Sequence, residues 1–133
     1  MPDLDAVHDR LRAILDPYRG DLSVTREGPG GMALEVPGLE GKPWGYVAGT
    51  RLGKRYVSFY LMPVYGDPRL LADMSAELRK RMQGKSCFNF TRVDEGLLTE
   101  LTDLTRRGYD LTGGDPAWGT RQRENWNKAR SNR

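Results

Sequence analysis

One stretch constrains this chain more than any other: Tyr56-Val57-Ser58-Phe59-Tyr60-Leu61-Met62, where Val57, Phe59 and Leu61 alternate with Tyr56, Ser58, Tyr60 and Met62. Successive side chains of a strand project to opposite faces, so this run is a strand with one apolar face and one face of tyrosines and a hydroxyl. The apolar face belongs under helices. The tyrosine face belongs at a half-exposed surface.

The flanking sequence supplies the rest of a sheet. Gly53-Lys54 separates the run from Tyr46–Arg51, which makes a hairpin of the two. Upstream, Leu22–Thr25 and Met32–Val36 flank Gly28-Pro29-Gly30-Gly31, strong turn chemistry for a first hairpin. A loop rich in Gly and Pro, 37–43, joins the two hairpins, and the alternating run Ser86–Thr91 predicts a further strand.

Helical periodicity fills the remainder. Leu4, Val7, Leu11, Ile14 and Tyr18 predict an amphipathic helix over about 4–17, with Asp3 or Asp5 serving its N-terminus and Pro17 and Gly20 stopping it. Asp67-Pro68 resembles an N-cap with proline at the first helical position. Leu70, Leu71, Met74, Leu78 and Met82 then predict a second helix over 68–82. Asp94 caps a third, carried by Leu97, Leu98, Leu101 and Leu104 and ending at Arg106-Arg107-Gly108. Past Gly113-Gly114, Asp115-Pro116-Ala117-Trp118 starts a short fourth helix to about Arg130, with Trp118, Gln122 and Trp126 on one face and too few apolar residues to fold alone. The predicted fold is α+β, two-layered, an antiparallel sheet of about five strands with helices packed on one face. Residues 1–110 form the domain and 111–133 a C-terminal extension.

Composition narrows the function classes. A chain of 133 residues buries one core, and 38% hydrophobic with 29% charged residues lies near the globular range. Its apolar runs are only a few residues long and its start, Met1-Pro2-Asp3-Leu4-Asp5, lacks the character of a secretory signal, so a cytoplasmic domain with no membrane segment is expected. With one cysteine, Cys87, and one histidine, His8, no intramolecular disulfide can form, and soft-ligand zinc, haem or iron–sulfur sites within one chain are excluded. No cofactor is expected. The net charge of +3 is uneven: residues 1–108 carry 16 Lys and Arg against 15 Asp and Glu, whereas 109–133 carry five against three. The domain is almost neutral, which argues against nucleic acid as a partner.

Tyr56–Met62 followed by Pro63, and above all Arg81-Met82-Gln83-Gly84-Lys85-Ser86-Cys87-Phe88-Asn89-Phe90, resemble the YdhG-like family of bacterial domains of unknown function. The order of elements agrees, as do Trp44-Gly45 entering a strand and the helix–glycine–strand–helix ending over 70–107. The resemblance covers about 1–110 and implies the same α+β fold. One relative is regarded as a frataxin-like iron chaperone, which would imply iron carried on surface carboxylates. Here Asp5, Asp9 and Asp16 are interspersed with Arg10 and Arg12, so no iron ligands are carried over.

The candidate site is the tyrosine face. Tyr46, Tyr56, Tyr60 and Asn89 are its ligand-binding candidates, joined by Ser58, Met62, Ala48, Thr50 and Cys87. Rings for contact and a few polar groups for orientation suit a small molecule, while strands also favour Tyr and Thr without any site. The same rings, with Arg51, Arg55, Arg79, Lys80, Arg81 and Lys85, form a weaker case for stacking nucleobases. A catalytic pair of Cys87 with His8 is formally possible, but Cys87 within a strand reads as an inert thiol, and nothing places a helix N-terminus or a base near the sulfur. Gly84-Lys85-Ser86 lacks the upstream glycine and following helix of a phosphate-binding loop. Trp118 and Trp126 are interaction candidates, docking on this domain, a second copy or a protein partner. The reading is a non-enzymatic small-molecule binding module, with a structural or protein-interaction module as the alternative.

Overall fold

The computed structural model describes residues 3–66 and 69–112. Asp67-Pro68 and the expected fourth helix with Trp118 and Trp126 lie outside the described residues. Six strands form one antiparallel sheet in the order β1-β2-β3-β4-β6-β5: β1 Ser23–Gly28, β2 Gly31–Glu35, β3 Tyr46–Leu52, β4 Val57–Leu61, β5 Met82–Gln83 and β6 Cys87–Phe90. The helices are α1 Leu4–Leu15, α2 Met62–Gly66, α3 Arg69–Ala72, α4 Ala76–Arg79 and α5 Glu95–Thr112. The α+β class and the one-sided covering agree with the sequence reading. The strand number is one higher because Met82–Gln83, expected at the end of a helix, pairs with β6.

The alternation in β4 fixes the layers. Val57, Phe59 and Leu61 are each buried to 1% exposure or less and meet Phe88 and Phe90 of β6 across the sheet. Above them α1 packs on β3 and β4 with Val7, Leu11 and Leu15, and α5 adds Leu97, Leu98, Leu101 and Leu104 to the same core. Burying each large side chain contributes about 1.5–3 kcal/mol, so this face supplies most of the driving force. Both long helices start at the caps read from sequence: Asp3 Oδ1 accepts from Ala6 N at 3.1 Å and Asp94 Oδ1 accepts from Leu97 N at 3.2 Å.

Three boundaries differ from expectation. Met62 leaves the strand and begins α2, so it is not part of the tyrosine face. The single helix expected over 68–82 is broken, because Ser75 Oγ caps α4 by accepting from Leu78 N at 3.1 Å, and Ser75 N donates to Glu100 Oε2 of α5 at 2.7 Å. That cap turns the chain, and Leu70, Met74 and Leu78 still all reach the core. Finally, α5 runs through Gly108 to Thr112 instead of stopping there. Gly108 serves packing: a Cβ there would sit 3.1 Å from Pro63 Cβ, so glycine lets α2 approach α5.

Candidate functional site

The sheet face away from α1 carries the candidate site, and register decides which residues reach it. In the β3–β4 ladder Gly49 faces Tyr60 and Arg51 faces Ser58, while β6 sets Asn89 beside Ser58 and Cys87 beside Tyr60. Directly paired residues share a face, so Arg51, Ser58, Tyr60, Cys87 and Asn89 stand together. Ala48 and Thr50 do not, which corrects the expectation from sequence. Ala48 faces Leu61 and Thr50 faces Phe59, both on the helix side, and both are buried. The cause is a bulge: Leu34 pairs with Ala48 but Glu35 pairs with Tyr46, leaving Val47 as an extra residue. Uniform alternation would put 46, 48 and 50 on one face, whereas one inserted residue leaves Tyr46 on the open face and sends the other two inward.

A pocket of about 480 Å³ opens on this face. Tyr60, Ser58 and Cys87 line it, the Gly53–Tyr56 loop closes one end and Gln83 of β5 adds to the wall. Its volume is within the range of small-molecule sites. Of the four ligand candidates, Tyr56 and Tyr60 line it directly, Tyr56 at 39% exposure. Tyr46 stands behind Tyr60 in an edge-to-face contact, ring centroids 6.5 Å apart and planes at 77°. Its hydroxyl lies over Gly49, and burial, with the nearby Tyr60 and Glu35, pushes the phenol pKa well above its ordinary value.

Asn89 stands half-buried beside Ser58 on the same face, next to the pocket lining. Its Oδ1 accepts from Ser58 Oγ at 2.8 Å and from Cys87 Sγ at 3.4 Å, and its Nδ2 donates to Gln83 Oε1 at 2.7 Å. One side chain thus sets three lining groups. It also fixes their polarity, since the Ser58 hydrogen is committed and Ser58 offers lone pairs, while Gln83 keeps its amide NH₂ as a donor.

Positive charge completes the lining. Arg51, Lys54 and Arg55 border the pocket, and among the described residues no Asp or Glu does. None of the three is in an ion pair among the described residues, whereas Arg10, Arg12, Arg19, Arg106 and Arg107 all are. Arg51 and Arg55 entered the sequence reading only as steering charges for nucleic acid, and Lys54 only as a turn residue. Gln83 could not be found at all, because β5 reads as helix.

Cys87 and His8 lie on opposite sides of the sheet. Burial raises the Cys87 thiol pKa, an effect the neighbouring Ser58 offsets only in part, so the sulfur is held protonated. His8 is 2% exposed beneath α1 with Nε2 2.8 Å from Thr50 Oγ1, and burial, then Arg12, lowers its pKa. The pair cannot meet. Among the described residues no three His, Cys, Asp or Glu side chains come together as a metal site. Of the acids of α1 and the turn after it, Asp9 is paired with Arg12 and Asp16 with Arg19. Among the same residues no helix is long and apolar enough to cross a membrane.

A second concavity, about 660 Å³, lies between α1 and α5, where the rings of Tyr18 and Tyr109 meet at a 44° tilt with centroids 4.7 Å apart. Its charges are largely satisfied internally, Arg106 pairing with Asp103 and Asp110. No family model matches the chain, and neither does any curated protein or solved structure.

Proposed function

We propose that this domain is a small-molecule binding module whose site is the pocket on the open sheet face. The observation that supports it is the Asn89 network, which orients Ser58, Gln83 and Cys87 along the wall of a 480 Å³ opening beside two tyrosine rings. Asn89 is half-buried, and one amide tying three lining groups together preorganises the wall in a way that separately hydrated side chains would not. Enzymatic use of Cys87 would need a thiolate and a base, and its surroundings favour the thiol. An iron-carrying role, the implication of the family likeness, would need clustered carboxylates, and Asp9 and Asp16 are each paired with an arginine.

The test is protein-observed NMR on the full chain with a metabolite panel. Saturable shifts at Ser58, Tyr60 and Gln83 are expected. Shifts confined to α1 and α5, or none, would sink the reading. The alternative, a protein-interaction module, draws its support from the groove lined by Ile14, Pro17, Tyr18 and Tyr109. A mass that rises with concentration would favour it, with NMR line broadening confined to those four residues.

A further inference from the structure

Resting on that reading of the pocket, we infer that its ligand is a small molecule bearing a phosphate group on a flat ring. Charge distribution is the first argument. Over residues 1–108 cations and anions nearly cancel, 16 against 15, yet Arg51, Lys54 and Arg55 border one pocket with no carboxylate among the lining residues. Elsewhere among the described residues Arg10, Arg12, Arg19, Arg106 and Arg107 are paired with acids, and Arg26, Arg81 and Arg92, which are not, do not border this pocket. Three like charges crowded at one hairpin end repel each other, and a bound anion removes that cost. A dianion offsets more of it than a monoanion does. Guanidinium forks match phosphate oxygens in bidentate geometry, and the adjacent ammonium supplies a point charge.

The remaining lining fits the rest of such a molecule. Gln83 keeps an amide NH₂ and the two tyrosines carry hydroxyls that can donate, so with Arg51, Lys54 and Arg55 donors outnumber acceptors on the wall. Tyr56 and Tyr60 lie four residues apart on one face, about 13 Å at 3.3 Å per residue. The cationic loop carries Tyr56, so an anion bound there leaves the ligand's body extending along the strand toward Tyr60. A flat body is what an aromatic wall contacts best.

Calorimetry and NMR on the full chain with phenyl phosphate, inorganic phosphate, benzoate, benzyl alcohol and a short oligonucleotide, at low and high salt, test this. Phenyl phosphate is expected to bind most tightly, to shift Ser58, Tyr60 and Gln83, and to weaken with salt. Its affinity should fall about tenfold in Arg51→Gln and in Arg55→Gln, the scale of one charge-assisted hydrogen bond. Arg106→Gln, on the helix side, should leave it unchanged. Benzyl alcohol or benzoate binding as tightly as phenyl phosphate at those same residues, indifferent to the arginine variants, overturns the phosphate inference and leaves the pocket standing. Silence at Ser58 and Tyr60 with every probe removes both. Binding of the oligonucleotide alone overturns the inference in favour of a nucleic-acid surface.

Discussion

Replacing Gly49 with alanine sets two opposed effects against each other, and the sign of the result tests the packing of the open face. Gly49 has no positive φ, so an alanine can adopt its backbone, and the lost flexibility of the unfolded chain should by itself stabilise the protein by about 0.4–1 kcal/mol. Against this, a Cβ at Gly49 would lie 2.0 Å from the Tyr46 hydroxyl and 2.5 Å from the Met32 carbonyl oxygen. The carbonyl belongs to the β2–β3 ladder and cannot move far, so the Tyr46 ring must swing out. Overpacking of this kind costs about 1–3 kcal/mol. Loss of the edge contact with Tyr60 adds about 0.5–1.5 kcal/mol. The expected net is destabilisation by about 2 kcal/mol. With an unfolding entropy near 2.1 cal/mol/K per residue over roughly 110 cooperative residues, the midpoint should drop by about 9 °C. Urea and thermal unfolding of Gly49→Ala, Tyr46→Ala and the double variant measure it. In the Tyr46→Ala background the alanine should cost at least about 1 kcal/mol less, a coupling typical of residues in direct contact. A stabilised Gly49→Ala, or additive single variants, would refute the placement of Tyr46 over Gly49.

Other expectations follow from the same geometry. His8 has a folded pKa below its unfolded value of about 6.5. Between the two the unfolded chain holds more protons, so its contribution is complete above pH ~6.5 and is lost as pH falls below that. Urea midpoints should therefore decline from pH ~6.5 downward more steeply in the native protein than in His8→Gln; parallel profiles would contradict the burial of His8. Cys87 should react with iodoacetamide far more slowly than a free thiol at neutral pH, and slower still with phenyl phosphate bound; alkylation at the rate of an unfolded control would show an open, ionised sulfur. Asn89→Ala leaves Ser58, Gln83 and Cys87 without their shared partner, with an expected cost of about 1–3 kcal/mol. Ligand affinity should fall with it, and unchanged affinity would mean that the network does not organise the pocket.

Much of the architecture was legible because local signals and burial agree. The β4 alternation, the glycine turns, and the Asp3 and Asp94 caps each act over a few residues and were read with the right type. What escaped depended on distant contacts. The phase of β3 was misjudged because Tyr46-Val47-Ala48-Gly49-Thr50 has no polar alternation to mark the bulge, and only pairing with Leu34 and Glu35 reveals it. The break at Ser75 needs Glu100 of α5, and Gly108 continues its helix because Pro63 lies against it. The same holds for the site. Tyr56 and Tyr60 could be named from their own strand, whereas Gln83 and the unpaired state of Arg51, Lys54 and Arg55 emerge only when separate segments meet.

The parity of β4 bears on how such a domain can change over generations. Even-numbered positions, Ser58 and Tyr60, answer to whatever occupies the pocket, while odd-numbered ones, Val57, Phe59 and Leu61, answer to the core. Point substitutions can therefore retune recognition at one set while the other continues to secure folding. Insertion of a single residue within the strand has no such freedom, since it exchanges the two sets at once. Variation in length is admissible instead in the Gly53–Tyr56 turn, where added residues would alter reach and charge at the pocket mouth and leave every rung of the ladder in place.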